Sequence, residues 1–165
     1  MTENMDPRAQ LIDILKSFDT AMLLSESHGG LHARPMAIAD VQDDGKMFFV
    51  TDAASPKLAE IDAEPKVYVT AQGKMKFIAL TGYARILVDP ARVAELWKEA
   101  WKVWFPKGEA DPSIRLIEVS PVDAEYWDSS GTEGLKYAFE AAKAYLKGER
   151  APAGDKAQHD RVRMS

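Results

Sequence analysis

Arg34, Ser55 and Lys57 are the residues whose types suit the binding of an anion. Arg34 lies in "LHARPM" (31–36), while Ser55 and Lys57 lie in "TDAASPKLAEI" (51–61), directly after the apolar run "KMFFV". A guanidinium binds phosphate bidentately, and an ammonium adds a second positive charge. Ser55 suits an N-cap and Pro56 the first helical position, so the spacing predicts a helix from Pro56. Its free N–H groups, the Ser55 hydroxyl and the Lys57 ammonium can then converge on a phosphate. Each piece also has a plainer reading. "SPK" is an ordinary capped helix start with a solvated lysine, and an arginine in mid-strand can snorkel to a carboxylate such as Asp52 or Asp62. These residues alone leave both readings open.

Other side chains offer less chemistry. His28 and His32 flank a glycine turn without a carboxylate set, and His159 falls near the C-terminus, so no metal centre is expected. One of the pair reads as a surface histidine and the other as one beside the site. Ser27, Ser129 and Ser130 have no visible base and orienting acid, which leaves nucleophilic catalysis unsupported. Trp97, Trp101 and Trp104 fall at the i, i+4, i+7 spacing of a packed helix face, in a core or at a dimer contact. Trp127 alternates with Tyr126 in a strand and is a candidate to approach a ligand.

Composition narrows the function further. The 165 residues carry 21 Lys plus Arg against 26 Asp plus Glu, a net charge of −5 that mildly repels nucleic acid. Cysteine is absent, which excludes disulfides, thiolate nucleophiles and cysteine-ligated metals. No run approaches the ~20 apolar residues of a membrane span, and the N-terminus "MTENMDPRAQ" lacks the pattern of a signal peptide. A cytoplasmic protein without membrane or nucleic-acid partners is the expectation.

The elements that must position these residues follow from periodicity. Asp6 and Pro7 start an amphipathic helix with Leu11, Ile14, Leu15 and Phe18 on one face. "TAMLLS" (20–25) and "LHARPMAIADV" (31–41) read as strands joined through "ESHGG", and "KMFFVT" reads as a third. In the second of these, His32, Arg34, Met36 and Ile38 share one face, and Pro35 marks an edge or irregular strand. A short helix from Pro56 follows. "KVYVTAQG" and "KFIALTGYARILV" are further strands. Asp89 and Pro90 open a helix that places Val93, Leu96, Trp97, Ala100, Trp101 and Trp104 on one broad face. "IRLIEVSP" and "DAEYWDS" supply a last strand or strand pair, and "GLKYAFEAAKAYLKG" a long helix stopped by glycine. The pattern is α+β: six or so mainly antiparallel strands forming a small barrel or strongly curled sheet with helices outside, residues 1–147 forming one domain and 148–165 a polar, mobile tail. Without a regular strand and helix alternation, or a GxGxxG or GxxxxGK[ST] string, a doubly wound nucleotide-binding sheet is disfavoured.

The order of elements, with "GLHARPM", "MFFVTDAASPKLAEI", "ELWKEAWKVWFP" and "AEYWD", resembles the FMN-binding split-barrel superfamily that includes pyridoxamine phosphate oxidase. Within it the resemblance is closer to the general stress protein branch, and it covers roughly residues 8 to 147. It implies a mainly antiparallel six-stranded split β-barrel with flanking helices, and FMN as cofactor, its phosphate held by Arg34, Ser55 and Lys57. Met36 and the strand Phe49, Val50, Thr51 would then run beside the ribityl chain and ring. It also implies a homodimer with flavin at the interface, to which Gln72, Trp101, Trp104, Phe105 or Trp127 of the partner contribute. Genuine pyridoxamine phosphate oxidases add a C-terminal arginine and histidine segment that "APAGDKAQHDRVRMS" does not match, so vitamin B6 oxidation is not expected. Three functions fit: a small flavin oxidoreductase using a nicotinamide or other small-molecule reductant, a flavin-binding or flavin-sensing module without turnover, or a split barrel binding haem or a deazaflavin. No catalytic residue can be named.

Overall fold

The computed structural model describes residues 6–150 and 158–165. Helix α1 (Pro7–Lys16) begins as its sequence indicates, with Pro7 in the first turn and the Asp6 carboxylate accepting the Arg8 N–H. Strands β1 (Thr20–Ser27) and β2 (Gly30–Val41) form a hairpin through His28 and Gly29, both at positive φ (51° and 76°). That is the backbone of a tight turn whose twist matches the strands. β3 (Met47–Asp52), α2 (Lys57–Ala63), β4 (Lys66–Gly73) and β5 (Lys76–Leu87) follow, then α3 (Pro90–Leu96), β6 (Ile114–Asp128), α4 (Thr132–Lys147) and β7 (Gln158–Arg163).

The strands pair in the order β3-β2-β1-β4-β5-β6, all antiparallel, and a β3–β6 pairing closes them into a six-stranded barrel. Closure depends on β6, whose first half pairs with both β3 and β5. Where β5 and β6 shift register between Thr81 and Gly82, a Cβ on Gly82 would lie 2.5 Å from the Ser120 carbonyl oxygen, so only glycine fits this approach. Leu23, Phe49, Val67, Val69, Ile117 and Val119 are fully buried inside the barrel, and α1 packs Leu11, Ile14 and Leu15 against them.

A second apolar cluster lies outside the barrel wall. It joins Ala39, Phe48, Val50 and Leu116 to Val93, Trp101 and Phe105. Here the expected long helix is corrected: α3 ends at Leu96, Trp97 and Lys98 are extended, and a 3-10 helix spans Glu99–Val103. The break lets Trp101 turn into the cluster, 3% exposed, with the Trp97 ring edge-on to it at a centroid distance of 5.8 Å and 85°. Burying the Trp101 indole in tertiary contacts outweighs a few residues of helical propensity.

The reading of 148–165 as a mobile tail is corrected over its last part. β7 adds to the second half of β6, along the edge that β3 leaves free, and Val162 and Met164 are buried in the main core. Two of its polar side chains find partners on β6: Arg161 bonds Asp123, and His159 bonds Glu125 while stacking on Trp127 at 4.9 Å and 4°. Residues 151–157 of the expected tail lie outside the described residues. Among the described residues no helix is long and apolar enough to cross a membrane.

Candidate functional site

The site begins where a ladder stops. β2 pairs with β3 only over Ile38–Val41, opposite Phe49–Met47, whereas its preceding residues pair with β1 alone. Pro35 therefore occupies a stretch paired on one side, as a residue without an N–H requires. The ladder ends at the pair Ile38 and Phe49, so Pro35, Met36 and Ala37 on one strand and Val50, Thr51 and Asp52 on the other diverge without pairing.

Between these two strand edges lies a cavity of about 490 Å³, lined by Pro35, Met36, Ala37, Val50, Thr51, Asp52, Lys57, Thr20, Trp104 and Phe105. Its walls are mostly apolar. Met36 and Val50 are buried, and Phe105, 3% exposed, is fixed by the second cluster. Trp104, at the end of the 3-10 helix, remains 59% exposed and forms a rim that a ligand can cover. Backbone groups on unpaired strand edges supply directional hydrogen bonds beside those walls, a combination suited to a flat heteroaromatic ring.

One end of the cavity is cationic. The Lys57 Nζ donates to Thr51 Oγ1 at 2.8 Å. Burial, followed by the nearby charge of Arg34, holds the Lys57 pKa below its ordinary value. An anion placed between the two cations relieves that repulsion. Arg34 is tied from behind: its Nη2 donates to Glu60 Oε2 at 2.6 Å and its Nη1 to Ser25 Oγ at 2.9 Å. Glu60 also accepts the Ser25 hydroxyl at 2.6 Å and bonds His32 Nδ1 at 3.0 Å. A carboxylate only accepts, so His32 carries its hydrogen on Nδ1. The hydrogen bonds from Ser25, His32 and Arg34 hold the Glu60 carboxyl down at about 2.

These placements sort the sequence-based candidates. Met36, Val50, Thr51, Lys57 and Trp104 meet at one cavity, and Phe105 joins them. Arg34 neighbours the cationic end, but its carboxylate partner is Glu60 rather than Asp52 or Asp62. Phe49 does not line the cavity: its side chain is fully buried and its backbone is spent in the ladders to Ile38 and Ile117. Ser55 does not cap α2, whose helical residues start one later at Lys57. Its carbonyl accepts the Leu58 N–H at 3.1 Å instead. Gln72 lines a neighbouring cavity of about 400 Å³ that shares Thr20 and Pro35 with the first. Trp127 lines neither and stacks on His159. Thr20 was not a candidate, although it pairs with Ala37 across the β1–β2 hairpin and so had to lie at the divergence. Glu60 was also missed; its position three residues after Lys57, on the same face of α2, was the available signal. Among the described residues no group of three or more His, Cys, Asp or Glu side chains is arranged to hold a metal.

A barrel split between β2 and β3, with a cavity that has a cationic end and an aromatic rim, defines a class that family comparison names. Residues 6–152 match the family model described as pyridoxamine 5'-phosphate oxidase like, and the chain belongs to that family. A candidate general stress protein 26 from Jannaschia sp. superposes with a TM-score of 0.72 at 23% identity, covering 92% of this chain and 94% of that one. General stress protein 26 from Bacillus anthracis gives 0.63 at 24% identity, over 71% of this chain and 93% of that one. These two establish the shared fold. The general stress FMN/FAD binding protein of Xanthomonas citri is 27% identical, with a TM-score of 0.64 over 73% of this chain and 87% of that one. A comparison with curated proteins finds no match.

Proposed function

We propose that the protein is an FMN-binding flavoprotein of the general stress type that works as a small flavin-dependent oxidoreductase. The observation that carries this reading is the cavity at the β2–β3 divergence, where apolar walls run to a cationic end formed by Lys57 with Arg34 beside it. A phosphate monoester with nearly two negative charges matches two cations, and an isoalloxazine ring matches apolar walls edged by unpaired backbone. Arg34, Lys57 and the Ser55 hydroxyl would hold the phosphate. Met36, Val50, Thr51 and Trp104 would border the ribityl chain and ring, with Phe49 supporting that strand from the core. The family match and the Xanthomonas citri neighbour support flavin as the ligand class.

Bound FMN supplies the redox chemistry, and the chain supplies binding and tuning. A nicotinamide or other small-molecule reductant is the partner reaction. The protein acts as a homodimer with the flavin at its interface. Exposed Met22 and Phe77 line the Gln72 cavity and, with exposed Leu31 and Tyr83 on the same sheet, offer apolar surface suited to a second copy. Gln72 and Trp127 of one protomer are then candidates to cover the flavin of the other.

The test is a fluorescence titration of the flavin-free protein with FMN and with riboflavin. FMN binds at least about 100-fold more tightly if two charge-assisted contacts hold the phosphate. Equal or absent binding of both removes the reading. Anaerobic mixing of the loaded protein with NADH or NADPH then bleaches the flavin if a nicotinamide is the reductant. Sedimentation at micromolar concentration gives a dimer, and a monomer contradicts the interface.

A further inference from the structure

Arg34 can serve a ligand phosphate only if its guanidinium is already oriented, and the structure shows what orients it. A long arginine side chain loses rotamer entropy when a ligand fixes it, a cost that binding must overcome unless the rotamer is fixed beforehand. Two of the five N–H donors of Arg34 are bonded, one to Glu60 and one to Ser25, leaving three for a ligand. Glu60 is itself anchored by the fully buried Ser25 and by His32, so it is a fixed post rather than a counter-ion free to swing aside. It stands one helical turn after Lys57, which couples the placement of both cations to one short helix.

We propose that Glu60 is a positioning residue for phosphate recognition: by holding Arg34 against β1 it presents the remaining guanidinium donors, together with Lys57, to the phosphate of the flavin. This inference rests on the FMN reading above. It makes a prediction opposite to simple electrostatics. Removing a negative charge beside an anion site should tighten anion binding, whereas removing a post that orients Arg34 should weaken it.

The experiment compares FMN and riboflavin affinities of the full chain and of Glu60→Gln and Glu60→Asp, with melting temperature as a fold control. Glu60→Gln removes the charge, while Glu60→Asp keeps the charge but withdraws the carboxylate by one methylene. The expected result is FMN affinity about tenfold weaker in both variants with riboflavin affinity unchanged. Unchanged or tighter FMN binding in either variant overturns the positioning role, as does equal weakening of both flavins, the mark of a merely structural residue. If the glutamine variant does not fold, the aspartate variant decides alone, because electrostatics predicts no change for it. Failure of the FMN reading is separate: it appears as a lack of discrimination between the two flavins in the unaltered protein.

Discussion

The two halves of β2 differ in one structural respect and diverge in everything that follows from it. Over Ile38–Val41 the strand pairs with β3, and Ile38, Ala39 and Val41 are buried. Over Gly30–Ala37 it pairs with β1 instead, and its edge towards β3 is open. That half carries the proline, the histidine and the arginine, and borders the cavity. Where β2 pairs with β3 their facing backbone groups satisfy one another and the side chains pack as core. Where β2 has left β3, the facing edges keep free backbone groups and side-chain space between them. The divergence of β2 from β3 therefore separates the part of the strand that closes the barrel from the part that borders the cavity.

That contrast can be broken from either side. The largest effect is expected at Phe49, the last residue of β3 to pair with β2 and fully buried: Phe49→Ala should cost about 3–5 kcal/mol of stability by chemical denaturation, as large core truncations do. The Arg34→Ala, Lys57→Ala double variant lies on the open side. It should lose about 100-fold or more in FMN affinity by fluorescence titration, with riboflavin binding retained.

Acid sharpens the comparison. The Glu60 pKa is lowered from 4.5 to about 2, so its bonds to Ser25, His32 and Arg34 contribute stability that is complete above about pH 4.5 and is lost as pH falls towards about 2. The melting temperature of Glu60→Gln should accordingly show a shallower fall across that window, and a parallel curve would contradict the assignment. The smallest effect belongs to the β4–β5 turn, where Lys74 and Met75 both hold positive φ (50° and 63°). Met75→Gly removes the Cβ penalty there and should stabilise the fold by about 1 kcal/mol, without altering flavin binding.

Local chemistry made much of this fold legible. The Asp6–Pro7 helix start, the glycine hairpin after Ser27 and the Gly148 stop of α4 are each dictated by a few adjacent residues, and each stands where the sequence places it. What the sequence did not reveal depends on distant partners. Trp97, Trp101 and Trp104 keep helical spacing, yet the helix breaks because Trp101 packs on Phe48 and Val50 from another part of the chain. The polar segment containing "HDRVR" becomes β7 because β6 has a free edge and Val162 and Met164 find the core beneath it. The site was legible in the same proportion. Lys57 follows from its place at the start of α2, and Met36 and Thr51 from the family resemblance, whereas Glu60 is one acidic residue among many until α2 is set against β1 and β2.

The central claim is that the gap between the unpaired edges of β2 and β3 is the flavin site. A crystal structure of the protein grown with FMN tests it most directly. The account predicts the phosphate bonded to Arg34 and Lys57, with the ring between the edges Pro35–Ala37 and Val50–Asp52 near Trp104. Flavin bound elsewhere, or with its phosphate away from both cations, would contradict it.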